Sequence, residues 1–89
     1  MSVKIDIAGA GAFGTALAIA FGKAGHTVTL WARHGAEQIE ASRENSTRLA
    51  GHPLPDTVRV TGDHSDLRAD ILLLAIPTQK LGSFLDETP

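Results

Sequence analysis

Three glycines near the start of the chain have a spacing that is typical of phosphate binding. Gly9, Gly11 and Gly14 form a Gly-x-Gly-x-x-Gly pattern in a sequence of 89 residues. The first glycine permits a tight turn, the second leaves room for phosphates beside the backbone, and the third lets a helix pack closely on a strand. Unpaired N–H groups at the start of that helix would then face the phosphates. The pattern predicts a site for the diphosphate of a dinucleotide.

Two alternatives stay open at this motif. The glycines could form a tight turn that serves close packing alone. Phe13, which precedes the third glycine, could be a core residue beneath the following helix, because phenylalanine is commonly buried. It could instead line the mouth of the site, beside the diphosphate or the nicotinamide.

An arginine 19 positions after Gly14 indicates which dinucleotide would bind. Arg33 stands where sites for NAD have an acidic residue, which accepts hydrogen bonds from the ribose 2′-hydroxyl. An arginine instead donates to a 2′-phosphate and can stack on adenine. His34 can add a second donor. We therefore expect NADPH to bind at least as well as NADH, the alternative being that Arg33 is an exposed residue at a strand end.

Composition and spacing argue against other chemistries. There is no cysteine, which excludes a disulfide framework and thiolate chemistry. A net charge of −2 gives no argument for nucleic acid or an anionic membrane as a partner. The longest apolar run, Ile71–Ile76, is far too short to cross a bilayer, and no signal peptide is visible, so a cytoplasmic protein is expected. No metal site is predicted, because these histidines lack ligand spacing: His26, His34, His52 and His64.

The hydrophobic pattern predicts the elements that position the motif, in the order β-α-β-α-β-β-α. The predicted strands are Val3–Ala8, Thr27–Ala32, Thr57–Thr61 and Asp70–Ile76. The predicted helices are Ala12–Ala24, Gly35–Glu44 and Thr78–Leu85. In the first helix, Leu17 and Phe21 with Ala16 and Ala20 indicate the apolar face. The fourth strand is almost continuously apolar, which is typical of a parallel strand covered on both faces. Acidic residues before it are interpreted as turn and capping residues: Asp63, Asp66 and Asp70.

This order predicts an α/β fold, a doubly wound, Rossmann-type, mostly parallel sheet with about four strands. The order along the chain does not give the order in space, and we expect the usual arrangement of such sheets, 3-2-1-4. The ligand would lie at the carboxyl ends of the first and fourth strands. Such a sheet normally continues further, and the chain stops at LDETP just after an apolar helical start. We expect residues 1–89 to be the N-terminal part of a dinucleotide-binding domain, with the remainder lying outside them. The apolar edge of the fourth strand leads us to expect dimerisation or strand swapping.

Four segments together resemble the N-terminal domain of bacterial NAD(P)-dependent glycerol-3-phosphate dehydrogenases. The glycine motif alone is shared by many dehydrogenases, whereas the LW-x-R and A-[IV]-P-[ST]-Q strand ends and the N…L-x-G…LP loop are together far more specific. The resemblance covers nearly the whole chain. Its segments are GAGAFGTALA at 9–18, GHTVTLWAR at 25–33, EN…LAGHPLPDTVRVTGD at 44–63 and ADILLLAIPTQ at 69–79.

The resemblance implies an enzyme that uses NADPH or NADH to reduce dihydroxyacetone phosphate to sn-glycerol 3-phosphate for phospholipid synthesis. Members of the family are cytoplasmic and often dimeric, with an α/β cofactor domain followed by a helical substrate domain. The family's catalytic and substrate lysines fall beyond these residues, so the chain is expected to lack catalytic residues. Cofactor contacts are implied at Gly9, Ala10, Gly11, Ala12, Phe13, Gly14, Arg33, His34 and Pro77.

Two other functions remain as alternatives at this point. One is a different reductase with the same type of cofactor domain, acting on 6-phosphogluconate, ketopantoate or an imino acid. The other is a non-catalytic nucleotide-sensing domain that controls a partner. Arg33 argues against the sensor, because sensors of this type usually have an acidic residue at the end of the second strand.

Overall fold

The segments predicted as strands form one parallel sheet in the computed structural model, which describes residues 2–75. The strands lie in the order β3-β2-β1-β4, and each neighbouring pair is parallel. This confirms the predicted α/β class and the order 3-2-1-4. The end of the predicted fourth strand, the predicted helix at 78–85 and Pro77 lie outside the described residues. The strands are β1 (Lys4–Ala8), β2 (Thr27–Trp31), β3 (Val58–Thr61) and β4 (Ile71–Leu74).

One face of the sheet forms the main hydrophobic core. Ile7 pairs with Leu30 and Leu30 with Val60, so the alternation within each strand directs these side chains to the same face. Two helices, α1 (Ala12–Lys23) and α2 (Ala36–Ser42), pack over this face and contribute buried residues to the same core. None of the helices within residues 2–75 has the length and apolar content needed to cross a bilayer.

The first helix approaches the sheet through its small residues. Gly14, Ala18 and Gly22 are buried at intervals of four, whereas Leu17 and Phe21 are only partly buried. A Cβ on Gly22 would lie 2.7 Å from Cγ2 of Val58, so a larger residue would push the helix outward. The apolar face indicated by the sequence is therefore wrong in part: its two alanines, Ala16 and Ala20, are exposed.

Side chains from α2 and its C-terminal cap bond to the outer edge of β3. Glu40 accepts a hydrogen bond from the backbone N–H of Val60 at 2.7 Å. Arg43 donates to the carbonyl of Val58 at 2.6 Å and pairs with the Glu40 carboxylate at 2.6 Å. Arg43 itself has a left-handed backbone, with φ of 58°. These bonds occupy the backbone groups that an edge strand would otherwise present to another chain.

The fourth strand is at the opposite edge and is more exposed than its sequence predicts. Ile71, Leu72 and Leu74 expose 42–44% of their surface, while Leu73 packs against the core. The expectation of cover on both faces is thus wrong for residues 71–74. The physical reason is that α1 and α2 lie over the other three strands and that, among residues 2–75, only β1 is paired with β4.

The second face of the sheet has a smaller cover. A one-turn helix, η1 (His64–Asp66), precedes β4, and Leu67 after it packs against Ala8 and Trp31. The buried carboxylate of Asp6, also on β1, accepts a hydrogen bond from the backbone N–H of Ala69 at 2.7 Å. The chain between β3 and β4 is therefore held across this face close to the strand ends.

Candidate functional site at the carboxyl ends of the strands

Two of the three motif glycines have a conformational or packing role in the loop after β1. Gly9 has φ of 120°, a backbone conformation that favours glycine, and its N–H donates to the carbonyl of Trp31 at 3.0 Å. Gly14 begins the close approach of α1, because a Cβ there would lie only 1.9 Å from the carbonyl oxygen of Gly9. Neither position tolerates a side chain without a movement of the backbone.

The middle glycine has a different environment, which points to a ligand. Gly11 is the N-cap of α1 with φ of −73°, which other residues can adopt. A Cβ built on it would meet no atom within 4 Å among the described residues. Packing therefore gives no reason for glycine at this position. A phosphate approaching the N-terminus of α1 would need this space, so the loop fits a diphosphate.

Phe13 lies in the first turn of α1 with 69% of its surface exposed. The interpretation of Phe13 as a core residue is therefore wrong. The alternative, a contact with bound cofactor, stays a prediction, as it does for the neighbouring exposed residue Ala12.

A cleft of about 550 Å³ opens beside the glycine loop, within the size range of small-molecule sites. Gly9, Ala10 and Gly11 form one wall, and Arg33 and His34 at the end of β2 form another. The side of α2 and the loop that follows it, residues 44–48, complete the lining. The predicted glycine loop and the predicted ribose-reading residues thus converge on one cleft, although more than twenty positions separate them in sequence.

Arg33, at the end of β2, is exposed, lines the cleft and lies over the ring of a neighbouring tryptophan. Its guanidinium carbon lies 5.9 Å from the centroid of the Trp31 ring, within the range of a cation–π contact. Trp31 is 4% exposed and is thereby a rigid support. Arg48 also lines this cleft, and Glu44 is the acidic residue in its lining. Two arginines against one carboxylate favour an anionic ligand.

Sequence reasoning missed the contribution of the segment after α2, which also lines the cleft. Asn45 is 3% exposed, and its Nδ2 donates to the carbonyl of Ala10 at 2.7 Å and to Oγ1 of Thr15 at 2.9 Å. The sequence of residues 45–56 indicates only a loop, because Gly51, Pro53 and Pro55 oppose regular secondary structure. An asparagine directly after a helix is common in turns, so the residue type alone carried no signal that its side chain reaches the glycine loop.

The acidic residues before β4 have the predicted local roles where the structure records a contact. Asp63 is the N-cap of η1 and accepts from both the hydroxyl and the backbone N–H of Ser65, which lowers the pKa of its carboxyl group. Asp66 accepts from the Thr61 hydroxyl at 2.6 Å. In the part of the chain that the structure describes, no group of three or more His, Cys, Asp or Glu side chains is arranged to hold a metal ion.

Comparison with known proteins gives one consistent set of relatives. The sequence profile of a family described as NAD-dependent glycerol-3-phosphate dehydrogenase N-terminus matches residues 4–88. The chain is 51% identical over 83 residues to a glycerol-3-phosphate dehydrogenase (NAD(P)+) of Jannaschia sp., covering 93% of this chain and 26% of that protein. It is 52% identical over 88 residues to the protein of the same name from Roseobacter denitrificans, with 93% and 27% covered.

A solved structure agrees with these sequence matches. The crystal structure of glycerol-3-phosphate dehydrogenase from Coxiella burnetii superposes with a TM-score of 0.87 at 26% identity, over 97% of this chain and 28% of that one. The chain therefore spans about a quarter of the length of the relatives that it matches.

Proposed function

Because the chain belongs to the NAD-dependent glycerol-3-phosphate dehydrogenase N-terminus family, we propose that it is the cofactor-binding part of an oxidoreductase. The proposed reaction is the reduction of dihydroxyacetone phosphate to sn-glycerol 3-phosphate with NAD(P)H, for phospholipid synthesis. The observation that carries the cofactor site is the open space at Gly11, the N-cap of α1, beside a cleft walled by Arg33. The alternative reductases and the nucleotide sensor are not favoured, since the relatives are named glycerol-3-phosphate dehydrogenases.

Different residues of the chain bind different parts of the cofactor. The backbone at Gly11 and the first turn of α1 bind the diphosphate, because unpaired N–H groups and the positive end of the helix dipole meet there. Arg33 and His34 donate to a 2′-phosphate, and the guanidinium stacks on adenine. The bound cofactor supplies the hydride. The predicted contacts Ala12, Phe13 and Pro77 belong to this proposal.

The rest of the enzyme is proposed to lie outside these residues. We assign the chain to the first part of the dinucleotide-binding domain, with the catalytic lysines and a helical substrate domain further along. A cytoplasmic location agrees with the absence of cysteine. We also propose a homodimer. The exposed apolar edge at β4 would be covered by the further strands of the domain or, in the 89-residue chain alone, by a second copy.

The cofactor proposal is tested by calorimetric titration of the chain with NADPH and with NADH. We expect NADPH to bind at least as well as NADH. Arg33→Ala should weaken NADPH by about tenfold more than NADH, because both cofactors lose the contact with adenine and only NADPH also loses the charge-assisted hydrogen bond to its 2′-phosphate. Arg59→Ala is the matched control, because Arg59 is exposed on β3 and does not line the cleft. A clear NADH preference that survives Arg33→Ala would overturn the assignment of Arg33.

The proposed division between cofactor and substrate parts is tested by turnover. The 89-residue chain mixed with dihydroxyacetone phosphate and NADPH should show no oxidation of the cofactor. Appreciable oxidation would contradict the proposal that the catalytic residues lie elsewhere.

A further inference from the structure

One buried side chain connects the loop after α2 to the glycine loop. Asn45 lies 35 positions after Ala10 and 30 after Thr15, and its Nδ2 donates to both of them. A buried amide nitrogen has two protons, and this one uses both. The bonds join the middle of the glycine loop to the first turn of α1.

The bond to Ala10 sets the orientation of the whole Ala10–Gly11 peptide unit and not only of its carbonyl group. A peptide unit is planar and trans, so the carbonyl of Ala10 and the N–H of Gly11 point in opposite directions. Holding the carbonyl on the Asn45 side therefore sets the direction of the Gly11 N–H, at the position where no described side chain fills the space. Without this bond, the peptide could rotate and present its carbonyl oxygen to an anion.

Hydrogen bonds on both sides of Asn45 along the chain restrain the backbone from which its side chain reaches Ala10. Its own carbonyl accepts from the backbone N–H of Leu49 at 2.7 Å and of Arg48 at 3.2 Å, which forms a turn. Preceding it, Arg43 adopts a left-handed conformation and bonds to the edge of β3. The side chain is thus fixed from both directions along the chain.

We infer that Asn45 is a positioning residue for dinucleotide binding, which locks the Ala10–Gly11 peptide in the orientation that accepts the diphosphate. This inference rests on the proposed function. It predicts that loss of Asn45 weakens the diphosphate contact specifically, while recognition of the adenosine end at Arg33 is retained.

The test compares two nearly isosteric substitutions at the two ends of one hydrogen bond. Asn45→Leu removes the bonds to both Ala10 and Thr15, whereas Thr15→Val removes only its own bond and leaves Ala10 held. NADPH affinity should fall by about tenfold or more in Asn45→Leu, as for a buried hydrogen bond, and change by less than about twofold in Thr15→Val. Adenosine 2′-monophosphate, which has no diphosphate, should bind both variants as it binds the wild-type chain.

The outcomes separate this inference from the proposed function. Equal NADPH affinity in Asn45→Leu and the wild-type chain, or equal losses in both variants, would overturn the positioning role. Where the wild-type chain binds neither NADPH nor NADH, the proposed function itself fails.

A measurement on the wild-type chain tests whether Asn45 holds the glycine loop, even if the Asn45→Leu variant does not fold. Both side-chain amide protons of Asn45 should exchange slowly with solvent in nuclear magnetic resonance spectra, because both are bonded inside the fold. Rapid exchange would show that Asn45 does not hold the glycine loop, and would overturn the inference.

Discussion

Substitutions at Gly14 and Gly11 should separate the packing role of the glycine motif from its binding role. In Gly14→Ala, the new Cβ would lie 1.9 Å from the carbonyl oxygen of Gly9, so the oxygen must move by about 1.5 Å to reach an ordinary contact of about 3.4 Å. Overpacking of this kind costs about 3 kcal/mol, and the better helix propensity of alanine returns about 1 kcal/mol. The expected net loss in unfolding free energy is about 2 kcal/mol.

Gly11→Ala should leave stability almost unchanged. Its φ of −73° suits alanine, and the new Cβ meets no described atom within 4 Å. Alanine is a poorer N-cap than glycine by about 0.5–1 kcal/mol, and the reduced entropy of the unfolded chain offsets about the same amount. The methyl group would occupy the space proposed for the diphosphate, so NADPH affinity should fall by about tenfold or more.

Thermal unfolding and ligand titration read out the two effects on the same samples. A loss of about 2 kcal/mol should lower the midpoint temperature of thermal unfolding of the Gly14→Ala variant by about 10 °C. The midpoint temperature of the Gly11→Ala variant should change by no more than about 3 °C. Because Trp31 is the single tryptophan and lines the cleft, quenching of its fluorescence reports NADPH binding. A Gly14→Ala variant as stable as wild type would refute the packing argument. Normal NADPH binding by Gly11→Ala would refute the position of the diphosphate.

Two further predictions concern the edges of the sheet. Glu40→Ala and Arg43→Ala should each lower the unfolding free energy by about 1–3 kcal/mol, because each leaves a backbone group of β3 without its partner. Urea unfolding of the two single variants and the double variant measures their coupling in a double-mutant cycle. Strictly additive losses would show that the pair does not act together. At the other edge, sedimentation equilibrium should detect self-association that Leu72→Lys or Leu74→Lys reduces, and a monomer at high concentration would count against an interface at β4.

The sheet could be predicted from sequence because its signals are local. Alternating apolar residues mark β1 and β3 without reference to any other part of the chain, and the glycine spacing marks the turn between β1 and α1. The order 3-2-1-4 does not follow from the sequence of elements; it is the usual arrangement of a doubly wound sheet that begins with this glycine motif. At β4 the apolar run does not indicate burial, because a strand is buried only where other elements cover it, and Ile71, Leu72 and Leu74 are exposed.

The contacts that fix the site could not be predicted, because they join residues that are distant in sequence. Nothing around Asn45 indicates that its amide reaches Ala10, and nothing around Glu40 indicates that it bonds to β3. The buried face of α1 also differs from the face that Leu17 and Phe21 indicate. The close approach of α1 is at Gly14 and Gly22, which have no side chain to give an apolar signal, and the large buried residue of the helix is Ile19.

These distant contacts make the segment from α2 to Asn45 a link between fold stability and the candidate site. Glu40 and Arg43 hold the outer edge of the sheet, and two residues later Asn45 holds the glycine loop. The left-handed turn at Arg43 ends α2 and directs the chain toward Ala10, and the Arg43 carbonyl accepts from the N–H of Leu54 at 2.7 Å. Loosening β3 would therefore also release the chain that positions Asn45. Substitutions at Glu40 and Arg43, although neither residue contacts the glycine loop, should weaken dinucleotide binding to the extent that they allow this turn to open.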